Sequence, residues 1–203
     1  QKSITDLEVF AAFKESQDRV TSMALIHEEL YKGGEFETLN FSSYIQELAE
    51  NLFKTSSLGA PKISLKLDLE ENIFFDMDTA VPLGIIINEL ISNSLKHAFP
   101  GRDKGEIRIK LSREENEGCM KSVNEDCKNT HCKNTSFILI VSDNGIGIPE
   151  NLNIEELDSL GFQLITSLVD QLGGEFVLKK NNGKEFTMIF TVAEKGNMVQ
   201  DLG

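Results

Sequence analysis

Hydrophobic residues along this chain recur at two different periods, and the period distinguishes strands from helices. Apolar and polar positions alternate over 63–69 and 107–111, which predicts two half-buried strands. Residues 137–141 are continuously apolar and rich in branched side chains, as is typical of a buried strand. Three further stretches are expected to complete the same sheet: 73–75, 176–178 and 186–192.

Helical periodicity occupies segments between these strands. Apolar residues spaced three and four apart predict helices at about 42–57, 78–99 and 161–172. Gly173-Gly174 is expected to end the last of them as a C-cap. Strands interleaved with helices that each have an apolar face predict an α/β fold in which the helices cover a sheet.

The helix over 78–99 has clear signals at both ends. Asp78 is the expected N-cap, Pro82 falls in the predicted first turn, and Pro100-Gly101 stops the helix. Its core-facing stripe consists of residues three and four apart, namely Leu83, Ile86, Ile87, Leu90, Ser94 and Ala98.

A second row on the same helix is polar. It contains four residues at i, i+4, i+7 and i+8, which share one ridge: Glu89, Asn93, Lys96 and His97. An ordinary solvated helix face would also carry such residues. The isoleucines of 85–87 and Ile91 nevertheless cover most of the circumference, which is unusual for a free surface helix. We therefore predict that the ridge lines a ligand cavity.

An acidic residue and two glycines follow directly after the buried strand. Asp143-Asn144-Gly145 is also ordinary turn chemistry, so this motif alone leaves a simple turn open. Gly145 and Gly147 allow a close backbone approach that side chains would prevent. A carboxylate in such a dry position can accept a hydrogen bond from an exocyclic amine, and N6 of adenine supplies one.

The segment Ser159-Leu160-Gly161 is expected to open the third helix. A helix start offers free N–H groups and the positive end of the helix dipole, both of which suit phosphates. Together with Asp143 and the polar ridge, it predicts a nucleotide pocket.

In order and spacing these motifs resemble the ATP-binding domain of two-component sensor histidine kinases, in the superfamily that also holds DNA gyrase B, the Hsp90 chaperones and the mismatch-repair MutL proteins. Residues 82–100 are similar to that family's N box, 143–147 to its G1 box and 159–164 to its G2 box. The resemblance implies a Bergerat-type α+β two-layer sandwich with a mixed sheet faced by helices. It also implies ATP and Mg²⁺ as cofactors, held between the helices and a short lid over 149–158.

The resemblance further implies roles for individual residues. Glu89 is the expected catalytic residue, and Asn93 is the expected ligand of Mg²⁺. Nucleotide binding is expected from Asn93 together with Lys96, His97, Asp143, Gly145, Gly147, Ile148, Ser159, Leu160 and Gly161. Two positions depart from the family pattern and predict a lower ATP affinity. Ser159 stands where many relatives have glycine, and Lys184 replaces the usual threonine near adenine.

The N-terminal segment differs in kind. Its apolar residues form one stripe along a predicted helix that would be marginal alone, and residues 15–31 resemble the second helix of a histidine-kinase dimerisation domain. We therefore expect a partial dimerisation segment over 1–38, an ATP-binding catalytic domain over 39–195 and a tail over 196–203.

The resemblance implies that the phosphate-accepting histidine lies on the first dimerisation helix, upstream of the region that matches Gln1. His27-Glu28 repeats a dipeptide that carries the acceptor in some other histidine kinases. Its position in the apolar stripe favours a packed or hydrogen-bonded helix residue instead. The chain as given is therefore expected to be unable to phosphorylate itself.

The resemblance implies a protein-histidine kinase. It would transfer the γ-phosphate of ATP to that histidine for relay to the receiver domain of a response regulator, and it would form a homodimer through its dimerisation helices. Two alternatives remain open. A non-catalytic, nucleotide-gated binding or dimerisation module is slightly favoured by Lys184, whereas the intact Glu89 and Asn93 argue against it. An ATPase of the gyrase or chaperone type would need a long lid and a transducer domain, which this sequence lacks.

Charge and hydropathy narrow the class of protein. The net charge of −13 argues against general nucleic-acid binding, which needs a basic surface. No apolar run reaches the roughly 18 residues of a membrane span, and no signal peptide is visible. A cytoplasmic chain without membrane contact is expected.

All three cysteines lie in a polar stretch over 112–136, which is expected to be an elongated connection between two strands. With His131 they could form a zinc site, but their spacing lacks the close pair typical of structural zinc. Reduced, unligated thiols are therefore expected at Cys119, Cys127 and Cys132.

Overall fold

The computed structural model describes residues 38–56, 62–114, 133–147, 160–180 and 183–194, together with single helical positions between residues 9 and 24. In chain order its elements are β1 (Leu39–Asn40), α1 (Phe41–Ser56), β2 (Lys62–Leu69), β3 (Phe74–Phe75), α2 (Met77–His97), β4 (Lys104–Arg113), β5 (Lys133–Asp143), α3 (Leu160–Gln171), β6 (Glu175–Lys179) and β7 (Lys184–Glu194).

The main sheet has five strands in the order β2-β4-β5-β7-β6. Strands β2 and β4 are parallel, whereas the other neighbouring pairs are antiparallel. The predicted mixed sheet is therefore confirmed. Parallel pairing of β2 with β4 requires a long crossover, which α2 provides.

Strand β3 does not join the main sheet, so its predicted place there is wrong. It pairs with β1 in a separate two-stranded sheet, in which Leu39 lies opposite Phe75. The segment lies directly before α2, and β1 lies directly before α1. This small sheet thus fixes the starts of two helices.

The core lies between one face of the main sheet and the three helices. Alternating residues of the central strands are fully buried on that face, as strand periodicity requires. They include the rows Ile107, Ile109 and Leu111; Phe137, Leu139 and Val141; and Phe186, Met188 and Phe190. Helix α2 contacts both α1 and α3. The arrangement is the predicted two-layer sandwich.

The N-cap of helix α2 lies two residues earlier than predicted. Asp76, not Asp78, is its N-cap, and the Asp76 carboxylate accepts a hydrogen bond from the Thr79 N–H at 3.1 Å. Pro82 therefore lies in the second turn instead of the first, where its missing N–H leaves the Asp78 carbonyl without a helical partner. The helix also ends at His97, before the predicted Phe99.

Helix α3 ends as predicted. Gly173 has a positive φ of 60°, and its N–H donates to the carbonyl of Asp170. The N–H of Gly174 donates to the carbonyl of Val169. Both bonds satisfy carbonyls that the last turn would otherwise leave unpaired.

The described positions before residue 38 are helical, and large apolar side chains are exposed there. The exposed fraction is 72% for Phe13 and 65% for Val20, and Val9 on the same stripe is also exposed. Within the part of the chain that the structure describes, no helix is long and apolar enough to cross a membrane.

Several predictions lie outside the described residues. They concern His27, the three cysteines with His131, the lid over 149–158 and the tail over 196–203. The division of the chain at residue 38 stays a prediction.

Candidate functional site

Three elements bring the predicted site residues to one end of the sheet. They are the C-terminal half of α2, the turn that follows β5 and the first turn of α3. Ser94 on α2 contacts Asp143 at the end of β5, while Gly161 on α3 lies beside Glu89 on α2. Residues 49 or more positions apart in sequence therefore meet around one site.

The polar ridge of α2 runs from the protein interior to solvent. Glu89 is only 1% exposed, Asn93 is half-buried, and Lys96 and His97 are exposed. The core-facing stripe beside it is buried throughout, as predicted. A buried carboxylate in this position needs hydrogen-bonding partners, whereas the two basic groups lie at the surface.

Gly161 at the start of α3 approaches the buried end of this ridge. A Cβ atom added to Gly161 would lie 2.7 Å from Glu89 Oε2 and 3.9 Å from Asn93 Nδ2. Any side chain at this position would therefore displace the carboxylate. The closeness places the first turn of α3, with its N–H groups, directly next to Glu89 and Asn93.

Asp143 is held in a fixed orientation by two hydrogen bonds. The Ser94 hydroxyl donates to its Oδ2 at 2.7 Å, and the Gly145 N–H donates to its Oδ1 at 3.0 Å. Its side chain is 1% exposed. Each carboxylate oxygen retains a lone pair for a further donor.

Lys184 lies opposite Asp143 in the pairing of β5 with β7. Its Nζ is 4.0 Å from Asp143 Oδ2, and its side chain is 15% exposed. Burial lowers the pKa of Lys184 below its ordinary value, and the Asp143 carboxylate partly opposes this shift. A half-buried lysine side chain thus accompanies the buried carboxylate.

The turn after Asp143 is fixed by bonds from several directions. The Asn144 N–H donates to the carbonyl of Glu106, and the Glu106 N–H donates to the Asn144 side chain. Arg102 donates to the carbonyl of Asn144 at 2.7 Å. The Ile146 N–H donates to the carbonyl of Ala98, just past the end of α2. These bonds pre-organise the turn before any ligand arrives.

Gly145 must be glycine because the backbone of α2's C-terminus lies against it. A methyl group on Gly145 would overlap the carbonyl and side chain of Ala98. Gly147 has a positive φ of 74°, which favours glycine as well.

Seven of the predicted site residues thus border one site or its rim: Glu89, Asn93, Lys96, His97, Asp143, Gly145 and Gly161. Gly147 continues the turn after β5. Leu160 is the first residue of α3, and its side chain is not described. Ile148 and Ser159 lie outside the described residues. The functional roles of all these residues stay predictions.

Sequence reasoning missed the contribution of Ser94. The apolar spacing predicts that Ser94 lies in the core-facing stripe, and it is buried there, but its hydroxyl also orients Asp143. A hydroxyl within an otherwise apolar stripe was the available signal, because a buried hydroxyl normally has a hydrogen-bond partner.

The donor set suits Mg²⁺ held mainly by phosphate. Among the described residues there is no group of three or more His, Cys, Asp or Glu side chains that could hold a metal ion. Asn93, half-buried beside the first turn of α3, offers one amide oxygen. Mg²⁺ commonly takes only one or two protein ligands when a triphosphate supplies the others.

Comparison with known families agrees with this geometry. The model of the "Histidine kinase-, DNA gyrase B-, and HSP90-like ATPase" family matches residues 78–195, which include every predicted site residue. A second model, described as "Histidine kinase", matches residues 1–56.

Curated relatives extend over nearly the whole chain. The sensor histidine kinase PdtaS of Mycobacterium tuberculosis is 26% identical over 193 residues, which make up 93% of this chain and 34% of the relative. The blue-light-activated histidine kinase 2 of Erythrobacter litoralis is 22% identical over 198 residues, or 95% of this chain and 51% of the relative. The chain therefore spans about a third of the mycobacterial relative and about half of the other.

A solved structure has the same fold. The histidine kinase domain of a blue-light-activated histidine kinase from Erythrobacter litoralis matches with a TM-score of 0.70 at 22% identity, covering 87% of this chain and 74% of that one. Since the family model spans 78–195, with the polar ridge, Asp143 and Gly161 inside it, the chain belongs to the histidine kinase-, DNA gyrase B- and HSP90-like ATPase family.

Proposed function

We propose that this chain is the ATP-binding catalytic part of a sensor histidine kinase, which transfers the γ-phosphate of ATP to a histidine. The observation that carries the proposal is the buried Asp143 carboxylate, oriented by Ser94 and Gly145 at the same end of the sheet as Glu89 and Asn93. A carboxylate with fixed orientation and spare lone pairs suits an amine donor, and the neighbouring ridge suits a triphosphate.

Asp143 would accept the N6–H of adenine. The site excludes water from this carboxylate, since its side chain is 1% exposed. In such an environment an unpaired donor or acceptor is costly, so a base without the amine would bind less well. The turn around Asn144 is already fixed by hydrogen bonds, so binding of the base would not require the loss of conformational entropy in this turn.

The phosphates would extend from the base toward α3 and the exposed end of the ridge. The first turn of α3 lies beside Glu89 at Gly161, its N–H groups point toward the start of the helix, and it carries the positive end of the helix dipole. Lys96 and His97, both exposed, would neutralise charge at the outer end. Ile148 and Ser159 are proposed to complete the cavity wall and the phosphate loop.

Asn93 would hold Mg²⁺ through its amide oxygen. Bound there, the ion would neutralise charge on the triphosphate and fix its position relative to α2. The remaining groups of the ridge need no rearrangement for this role, because Asn93 already lies one turn from Glu89 on the same helix face.

Glu89 would act as the positioning and proton-accepting group for the attacking histidine. An imidazole nitrogen of the acceptor forms a bond to the γ-phosphorus as the bond to the β–γ bridging oxygen breaks, and ADP leaves with that electron pair. The Glu89 carboxylate would orient the imidazole and take up its proton. Catalysis would depend mainly on positioning and on charge neutralisation.

The proposal extends to a dimerisation helix that carries the acceptor histidine and to the partners of the protein. The exposed stripe of Val9, Phe13 and Val20 would pack against a partner helix, because apolar side chains so exposed on a helix favour association. We propose a homodimer through these helices and relay of the phosphoryl group to a response regulator receiver domain. A cytoplasmic location is part of the same proposal.

Phosphotransfer from γ-labelled ATP tests the proposal directly. The full-length protein should acquire a label that is stable to base and labile to acid, as a phosphohistidine is. Glu89→Gln should bind ATP but acquire the label at least about 100-fold more slowly, since a positioned general base contributes roughly 10²- to 10⁴-fold.

Two results would contradict the kinase assignment. ATP binding by the full-length protein without any label would favour the nucleotide-gated module. Release of free phosphate at the same rate in protein that lacks the acceptor helix would favour an ATPase.

A further inference from the structure

Two charged side chains lie side by side, each at the end of a row of buried residues on one of the central strands β5 and β7. The row Phe137, Leu139 and Val141 on β5 continues to Asp143, and the row Phe190, Met188 and Phe186 on β7 continues to Lys184. Directly opposed residues of antiparallel strands point to the same face of a sheet. The carboxylate and the ammonium therefore both lie on the helix-covered face, where the core meets the candidate site.

The Lys184 ammonium is not a hydrogen-bond donor to the Asp143 carboxylate. Asp143 already accepts bonds from Ser94 and Gly145, and the 4.0 Å between Lys184 Nζ and Asp143 Oδ2 exceeds a hydrogen bond. Within the described residues, the Lys184 ammonium makes no other polar contact. An ammonium has three donors, and leaving them unpaired in a buried position is costly. Among the residues that the structure describes, the Lys184 ammonium thus lies beside Asp143 with no acceptor within hydrogen-bonding distance.

We propose that Lys184 is a base-recognition residue, which donates a hydrogen bond to ring nitrogen N1 of adenine while Asp143 accepts from the adjacent N6 amine. This inference rests on the proposed function and deepens it. The Watson–Crick edge of adenine presents a donor and an acceptor on neighbouring atoms. A carboxylate and an ammonium 4.0 Å apart are complementary to such an edge, and each can form its own bond.

The pair also selects against guanine. Guanine carries the acceptor O6 where adenine carries the N6 amine, and it carries N1–H where adenine has an unprotonated nitrogen. In the adenine orientation, O6 would face the Asp143 carboxylate and N1–H would face the Lys184 ammonium. Both contacts would be repulsive, and a site with buried polar groups left unpaired rejects such a ligand strongly.

This role is opposite to the expectation from the sequence. A lysine in place of the family's threonine predicts weaker ATP binding, whereas a direct charge-assisted hydrogen bond predicts tighter binding. If Lys184 binds the base, removing its ammonium weakens ATP binding. If Lys184 only hinders ATP, removing it strengthens binding.

The test compares ATP with 1-deaza-ATP, in which a C–H group replaces ring nitrogen N1. Calorimetry in the presence of Mg²⁺ would be carried out on the parent protein, on Lys184→Met and on Lys179→Met. Lys179 is an exposed lysine on the neighbouring strand β6 and pairs with Glu185, so it is a matched control outside the site.

The parent and Lys179→Met should bind ATP about 10- to 100-fold more tightly than 1-deaza-ATP, the range expected for one hydrogen bond to a charged group. Lys184→Met should lose a similar factor for ATP and should no longer distinguish the two nucleotides. The comparison of the two nucleotides on the parent needs no variant, so a folding defect in Lys184→Met would leave it intact.

Two results would overturn the inference while leaving the proposed function standing. In one, the parent binds ATP but binds 1-deaza-ATP equally well. In the other, folded Lys184→Met binds ATP as tightly as the parent or more tightly, which would make Lys184 a competitor for Asp143. A parent protein that binds neither nucleotide would instead overturn the proposed function itself.

Discussion

At the residue scale, the site depends on buried polar groups whose partners are few and specific. Asp143 has one side-chain donor, Ser94, and one backbone donor, Gly145. Glu89 is equally buried and lies against a glycine that leaves it room. Because desolvated groups gain or lose more from each hydrogen bond than exposed groups do, small side-chain changes here should have large effects.

Ser94→Ala should destabilise the protein and weaken ATP binding together. The substitution removes the donor to Asp143 Oδ2 and leaves a buried carboxylate oxygen without it, which costs about 1–3 kcal/mol. Urea unfolding and calorimetry would measure the two effects. Ser92→Ala is the matched control, since this buried serine lies two residues away and therefore faces a different direction. Equal effects of the two substitutions would contradict the role given to Ser94.

Lys184 should make stability rise with pH on the alkaline side. Its pKa in the folded protein is below the ordinary value of 10.5, mainly because of burial. Between those two pKa values the unfolded chain binds more protons than the folded one, so the free energy of unfolding increases with pH. Urea unfolding across that range should show the free energy of unfolding of the parent rising with pH relative to that of Lys184→Met. Parallel curves would contradict it.

At the element scale, α2 is the element that carries both the core and the polar ridge, so its start determines where Glu89 and Asn93 lie. Two aspartates, Asp76 and Asp78, are both competent N-caps by residue type. The pairing of β1 with β3 ends at Phe75, and the helix starts immediately afterwards. The cap is therefore selected by a contact between distant segments.

Asp76→Ala should cost about 1 kcal/mol of stability through loss of the cap. Asp78→Ala should cost less, because an exposed carboxylate in the first turn contributes only through the helix dipole, about 0.3–1 kcal/mol at low salt. Thermal or urea unfolding at low and high salt would separate the two, since salt screens only the dipole contribution. A larger loss from Asp78→Ala would contradict the assigned helix start.

At the scale of the whole molecule, local periodicity predicted the positions of the helices and strands better than the contacts between them. Alternation or a short apolar run located every strand of the main sheet, because one face of each strand packs on the helices. Periodicity could not predict the pairing of β3 with β1, because a two-residue strand is too short to show a period. The contacts of Asp143 with Ser94 and Lys184 could not be predicted either, because they depend on how β5 packs on α2 and on its register with β7.

In the candidate site, too, some features could be predicted from the sequence and others depend on tertiary packing. The polar ridge of α2 was readable because helix geometry fixes which residues share a face. The closeness of Gly161 to Glu89 was not, because it depends on how α3 packs on α2. The order of the motifs indicated which segments form the site. Which atoms are in contact depends on tertiary packing.

The central claim is that Asp143 anchors a purine nucleotide whose phosphates extend toward Asn93, and calorimetry with Mg·ATP tests it most directly. The parent protein and Asp170→Asn, an exposed acid-to-amide control on α3, should bind ATP with similar affinity. Asp143→Asn should remain folded and lose about 10- to 100-fold in affinity, as expected for a hydrogen bond to a charged group. Absence of heat with the folded parent, or unchanged affinity in Asp143→Asn, would contradict the account.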